Sequence, residues 1–136
     1  MNLVDTGPLI ALIDKGQGEV HTRCIAACQQ MKGPLVTTWP CFTEAMYFLA
    51  ELRGWSGQQV LWQYLDREAL LIHQADDTEC QRMRALMEKY QDMPMDLADA
   101  SLVATAESLN LKRVFTLDRD FYVYRIKDKD AFEVVP

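Results

Sequence analysis

The sequence predicts an α/β fold: one five-stranded parallel sheet with helices on both faces, a single three-layer domain over residues 1–136. Three observations predict it. Short aliphatic and β-branched runs alternate with helical stretches, the pattern of strand–helix units whose strands run parallel. A chain of 136 residues that is 49% hydrophobic can bury a real core. No repeat, low-complexity tract or Gly/Ser/Pro-rich linker divides it.

Each element follows in order. "MNLV" (1–4) reads as a strand, ended by "DTGP". Thr6 is expected to cap a short helix with Pro8 at its first position, running through "PLIALID". Residues 19–32 form a second helix, stopped by Gly33-Pro34. "LVTT" (35–38) is a strand. Pro40 opens a helix that Gly54 ends, and Ser56 is expected to cap another over 57–66. "ALLIHQA" (69–75) is a third strand, 77–90 a polar amphipathic helix, and "MPMDLADASLVATAESLN" (93–110) carries the last helix. "RVFTL" (113–117) and "FEVV" (132–135) supply the final strands.

Composition narrows the class. No 18-residue apolar run and no charged lead followed by an apolar stretch is present, so a cytoplasmic protein without a membrane segment is expected. Cys24, Cys28, Cys41 and Cys80 show no framework spacing, which favours reduced thiols. The net charge of −6 argues against passive electrostatic binding of nucleic acid.

The acids are placed unusually. Asp5 follows the first strand and Asp118 the fourth, and parallel sheets bind ligands beyond the carboxyl ends of their strands. Glu44 stands in "CFTEAMYFLA", which leaves almost no polar face. Asp96 and Asp99 share a helix face, and Val103 and Ala106 continue the stripe from Asp99 toward the core. Capping is the simple alternative, with Asp96 as N-cap and Asp99 at N3 as in a capping box. A turn role is the alternative for Asp5 and for Asp118 or Asp120, and an arginine partner for Glu44. A shared cation explains Asp5, Glu44, Asp99 and Asp118 together. Hard carboxylate oxygens without His or Cys suit Mg²⁺ or Mn²⁺.

The stretches "LVDTGPLIALI", "TEAMYFL", "LADASLVATAESLNL" and "VFTLDRDF" resemble, in order and spacing, the PIN-domain nucleases, especially the VapC-like toxins of toxin–antitoxin pairs. The resemblance spans essentially the whole chain. It implies a parallel sheet of order 3-2-1-4-5 and metal ligation by Asp5, Glu44, Asp99 and Asp118, with Thr116 as the hydroxyl behind the last acid. Asp96 and Asp120 occupy variable positions and would act at most through water; Asp120 could instead pair with Arg119 or Arg125. The resemblance also implies Mg²⁺- or Mn²⁺-dependent RNA cleavage, a homodimer and an antitoxin partner. A housekeeping RNase, or a non-catalytic RNA- or protein-binding module on the same scaffold, is the alternative.

Setting aside those six acids leaves 14 against 14 Lys and Arg, so RNA would meet a near-neutral body with a metal-filled pit. Arg119, Arg125, Lys127 and Lys129 are candidate phosphate contacts, interleaved with Asp128 and Asp130. His21, Cys24 and Cys28 share a helical face but lack a fourth zinc ligand. Tyr47, Leu49, Trp62 and Leu65 read mostly as core, with a possible extension to a groove for a partner helix. A phosphoacceptor signalling domain would want an Asp ending the third strand and a Lys at the last; "HQAD" and "VVP" supply neither.

Overall fold

In the computed structural model, which describes residues 1–136, neighbouring residues of the first strand enter different cores. That strand, β1 (Asn2–Val4), is buried along its length. Leu3 packs with Leu102, Val103 and Val114, whereas Val4 packs with Leu9, Phe42 and Phe115. Side chains alternate along a strand, so both can be buried only if helices cover both faces. On one face lie α1 (Thr6–Ile13), α2 (Glu19–Gln30) and α3 (Trp39–Asp66); on the other, α4 (Asp77–Lys89) and α5 (Leu97–Leu109).

The remaining strands are β2 (Leu35–Thr38), β3 (Leu70–His73), β4 (Arg113–Phe115), β5 (Arg125–Ile126), β6 (Asp130–Ala131) and β7 (Glu133–Val135). The main sheet has the order β3-β2-β1-β4-β7, with every pair parallel. This is the expected order, its fifth strand being β7. From β1 the chain builds outward first through β2 and β3, then on the other side through β4 and β7. The crevice where the order reverses therefore lies between the ends of β1 and β4.

Local details differ from expectation. Asp5, rather than Thr6, caps α1: its carboxylate accepts from the Thr6 N–H, and the Thr6 hydroxyl donates to the Cys41 carbonyl instead. The second helix ends at Gln30, two residues early. The two expected helices over 40–66 run as one element interrupted at Gly54, with φ 62° and ψ −152°. Ser56 does not cap the second half; its hydroxyl donates to the Arg53 carbonyl. The antiparallel β5–β6 hairpin is an addition to the expected elements, because its strands are two residues long and carry no pattern. Its turn also uses Lys127 and Asp128 at positive φ, where Gly or Asn would have signalled it. No helix is long and apolar enough to cross a membrane.

Gly54 adopts a conformation essentially reserved for glycine, yet a Cβ there would meet nothing within 4 Å. Gly54→Ala should therefore destabilise the fold through the backbone alone, by about 1–3 kcal/mol in urea unfolding. An unchanged midpoint would show that the break relaxes freely.

Candidate active site

The register of the two central strands decides where the first acid stands. Leu3 pairs with Val114 and Val4 with Phe115, so the next step sets Asp5 beside Thr116. The Asp5 N–H donates to the Phe115 carbonyl at 2.9 Å and keeps that step in line. The Thr116 hydroxyl donates to Asp5 Oδ2 at 2.7 Å, and the Thr6 N–H to Asp5 Oδ1 at 2.7 Å. Two residues on, the Asp118 N–H donates to the same Thr116 oxygen at 3.0 Å. One buried hydroxyl thus positions the strand ends that carry both acids.

Asp99 arrives from the opposite helical layer. Asp96 caps α5, accepting from the Asp99 N–H at 2.8 Å. The Asp99 side chain does not complete a capping box. It turns inward and accepts from the Tyr124 hydroxyl at 2.8 Å. One oxygen from each of Asp5, Asp99 and Asp118 falls within 4.8 Å of the others. Glu44, half-buried, lines the same cleft of about 340 Å³ but lies outside this tight set. Asp96 also lines the cleft, and no basic side chain does.

Burial shapes the charges. Asp99 is 6% exposed, and burial above all pushes its carboxyl up to about 8. The Tyr124 hydrogen bond opposes this, and the charges of Asp96, Asp5 and Asp118 add to it. Asp5 is pushed up to about 6, again mainly by burial, against the bonds from Thr116 and the Thr6 N–H. Asp120 is raised by burial and by Asp118 and Asp96. It forms no ion pair with Arg119 or Arg125, and Glu44 has no arginine partner either.

Sequence reasoning misses Tyr124 and Cys41. Only the folded chain brings Tyr124 to Asp99, and no spacing signals it. Cys41 lies fully buried with Sγ 3.9 Å from Asp5 Oδ1; burial and then that neighbouring acid push its thiol far up, so it is no nucleophile. The other candidates disperse. His21 Nδ1 bonds the Ala11 carbonyl and Cys24 packs in the core, so neither joins a metal set. Arg125 donates to the carbonyls of Tyr122, Val123 and Tyr124. Leu49 is core as expected, but Tyr47 and Trp62 are 61% and 42% exposed.

A family model described as the PIN domain matches residues 3–127. The chain belongs to the PIN-domain family. It is 24% identical over 135 residues to ribonuclease VapC26 of Mycobacterium tuberculosis, covering 98% of this chain and 99% of the relative. The fold matches VapC20 of the same organism, a sarcin-ricin loop cleaving toxin, with TM-score 0.83, 13% identity and full coverage of both chains. It also matches a toxin–antitoxin complex from Klebsiella pneumoniae, with TM-score 0.69, 22% identity and coverage of 89% and 90%.

The acids of this PIN domain suit a divalent cation. Their donor set is all hard oxygen, their neighbours are neutral donors, and no Lys, Arg or His lies in the cleft to compete. A larger apolar cleft of about 530 Å³, at the amino end of the sheet, offers only Glu68 as an acid.

The pH dependence follows from Asp99. Its folded carboxyl holds a proton up to about 8, against an ordinary 3.8, so the native state binds more protons than the unfolded chain between those values. Stability of the metal-free protein should then fall as pH rises through that window, and the Asp5 contribution should be lost by about 6. Asp99→Asn should flatten the upper half of the slope in melts at graded pH. Parallel curves for the two proteins would refute the assignment.

Proposed function

We propose that this chain is an endoribonuclease that hydrolyses RNA phosphodiester bonds with a bound divalent metal, Mg²⁺ or Mn²⁺, and that it acts inside the cell as the toxin of a type II toxin–antitoxin pair. The observation that carries the reading is the convergence of Asp5, Asp99 and Asp118, with Glu44 on the wall of a cleft that no cationic side chain lines, in a PIN domain. A cation held by these acids would supply an acidified water and neutralise charge on the scissile phosphate. The chain's own residues prepare the place for it. Thr116 and the Thr6 N–H fix the two oxygens of Asp5, and Tyr124 fixes one oxygen of Asp99, so neutral donors hold both acids where the ion would sit. Asp96 holds the start of α5 in register and so sets the height of Asp99. Cys41, behind Asp5, keeps its proton, so its sulfur does not compete as a nucleophile.

A protein partner is supported by the surface of α3. Tyr47 and Trp55 are more than 60% exposed, and Phe48 and Leu52 more than 40%. Exposed apolar surface of that kind marks interfaces, and an antitoxin and a second copy of the chain are the occupants proposed for it. Similarity to VapC26 and to the Klebsiella complex favours the toxin reading over a housekeeping RNase.

Asp99→Asn should lower RNA cleavage at least about 100-fold, since even outer partners of a metal ligand are worth about 10–100-fold. The same change should leave the metal-free protein at least as stable, because the amide stays neutral among the acids without having to take up a proton. Wild type should gain about 1.4 kcal/mol at ten times the metal Kd, and the variant should lose most of that gain. Asp96→Asn, which preserves the cap, should keep both cleavage and the metal-dependent rise in melting temperature. A full metal-dependent rise in Asp99→Asn would return that residue to a structural role.

Expression of the chain alone should arrest growth, and co-expression of its antitoxin should relieve the arrest. Harmless expression of an enzyme that is active in the test tube would identify a housekeeping RNase.

A further inference from the structure

Beside the acidic cleft lies a second cleft of about 410 Å³ with two cationic walls. Arg23 enters it from α2, and Arg119 and Tyr122 from the 3₁₀ turn (Arg119–Tyr122) that follows Asp118. Leu117 and Asp118 line both clefts, so the two adjoin at the carboxyl end of β4. Arg53, Arg82 and Arg113 pair with acids and Arg125 holds three carbonyls, while Arg67 and Arg84 are free but line neither cleft. Arg23 and Arg119 are exposed and make no ion pair or side-chain hydrogen bond. Tyr122 is 60% exposed, its ring open to solvent.

Two free guanidinium groups and an open aromatic ring, beside a site for a scissile phosphate, have a definite chemical complement. We propose that this second cleft is the nucleotide subsite next to the cleavage point, taking single-stranded RNA. Arg23 and Arg119 clamp the phosphate adjacent to the one over the acids, and Tyr122 stacks on a base. The guanidinium fork matches phosphate oxygens in two-bonded geometry, and an aromatic face accepts any base. In a chain of net charge −6, such a local clamp supplies the attraction that the whole surface does not. The inference rests on the nuclease reading above.

The test is binding of a labelled single-stranded RNA oligonucleotide in EDTA, read by fluorescence anisotropy across a salt series. Cleavage with Mg²⁺ or Mn²⁺ is measured in parallel. The double variant Arg23→Ala/Arg119→Ala should bind about tenfold more weakly, with its salt slope shallower by about 0.7 for each phosphate that is no longer neutralised. In cleavage the loss should fall on KM, with kcat nearly kept. Tyr122→Ala should weaken binding about fivefold or more without changing the slope, and Tyr122→Phe should restore it. Arg67→Ala, an exposed arginine at the opposite end of the sheet, should behave as wild type in both assays. All three side chains of the subsite are exposed, so unchanged melting temperatures are expected. A double variant with wild-type affinity, salt slope and KM would overturn the subsite while leaving the nuclease reading standing. A wild-type protein that neither binds nor cuts RNA would overturn both.

Discussion

Carboxylates crowded at one end of a parallel sheet are a cost that the surrounding structure has to carry. Asp5 and Asp99 are almost wholly buried, Asp118 lies within 4.8 Å of both, and no cationic side chain enters their cleft. The compensation comes from neutral donors and from helix starts. Asp5 caps α1, Asp99 sits in the first turn of α5, and Asp118 caps a 3₁₀ turn, so each lies near the partial positive charge of exposed N–H groups. Such support is enough to hold the acids in place and too little to neutralise them. A bound cation would favour the ionised acids and so complete what the neutral donors begin.

The same economy runs through the layer behind the acids. Thr38 and Ser101 share a 2.6 Å hydroxyl contact between β2 and α5, Thr37 bonds the Val4 carbonyl, and Ser101 bonds the Ala98 carbonyl. Small hydroxyl residues let α5 approach the sheet closely while every buried polar side chain finds a partner. Ion pairs lie away from the acidic cleft. Arg82 and Lys89 on α4 grip Asp128 in the β5–β6 hairpin, and Arg82 also grips Glu107 on α5. These pairs bind the hairpin against the layer that faces Tyr124.

Much of this is legible in the residues themselves. Aliphatic runs bounded by Gly, Pro and Asp disclose the strands, because buried parallel strands need apolar side chains on both faces. The acids stand out where a polar residue has no solvated face to occupy, as with Glu44 and Asp99. Asp96 and Asp99, three residues apart, cannot be separated by pattern alone; the fold gives one the cap and the other the interior. What escapes depends on long-range closure. Tyr124 acquires its role only when the segment after β4 folds back over α5, and the two-residue strands of the hairpin carry no periodicity to read. The exposure of Tyr47 and Trp62 escapes for a related reason: apolarity reports what can be buried, and not what a single chain suffices to bury.

The bond between Thr116 and Asp5 joins residues 111 positions apart. β1 is central in space, and the strand that completes its far side, β4, follows β2, β3 and all five α-helices in the chain. Loop closure on that scale is slow and cannot start until the later strand exists. During synthesis, β1, β2 and β3 can assemble with α1 and α3 as a half-sheet that already holds Asp5 and Glu44. The pit between β1 and β4 is still missing at that stage. The acidic centre is thus a feature of the closed sheet alone, and a half-sheet of β1, β2 and β3 lacks it.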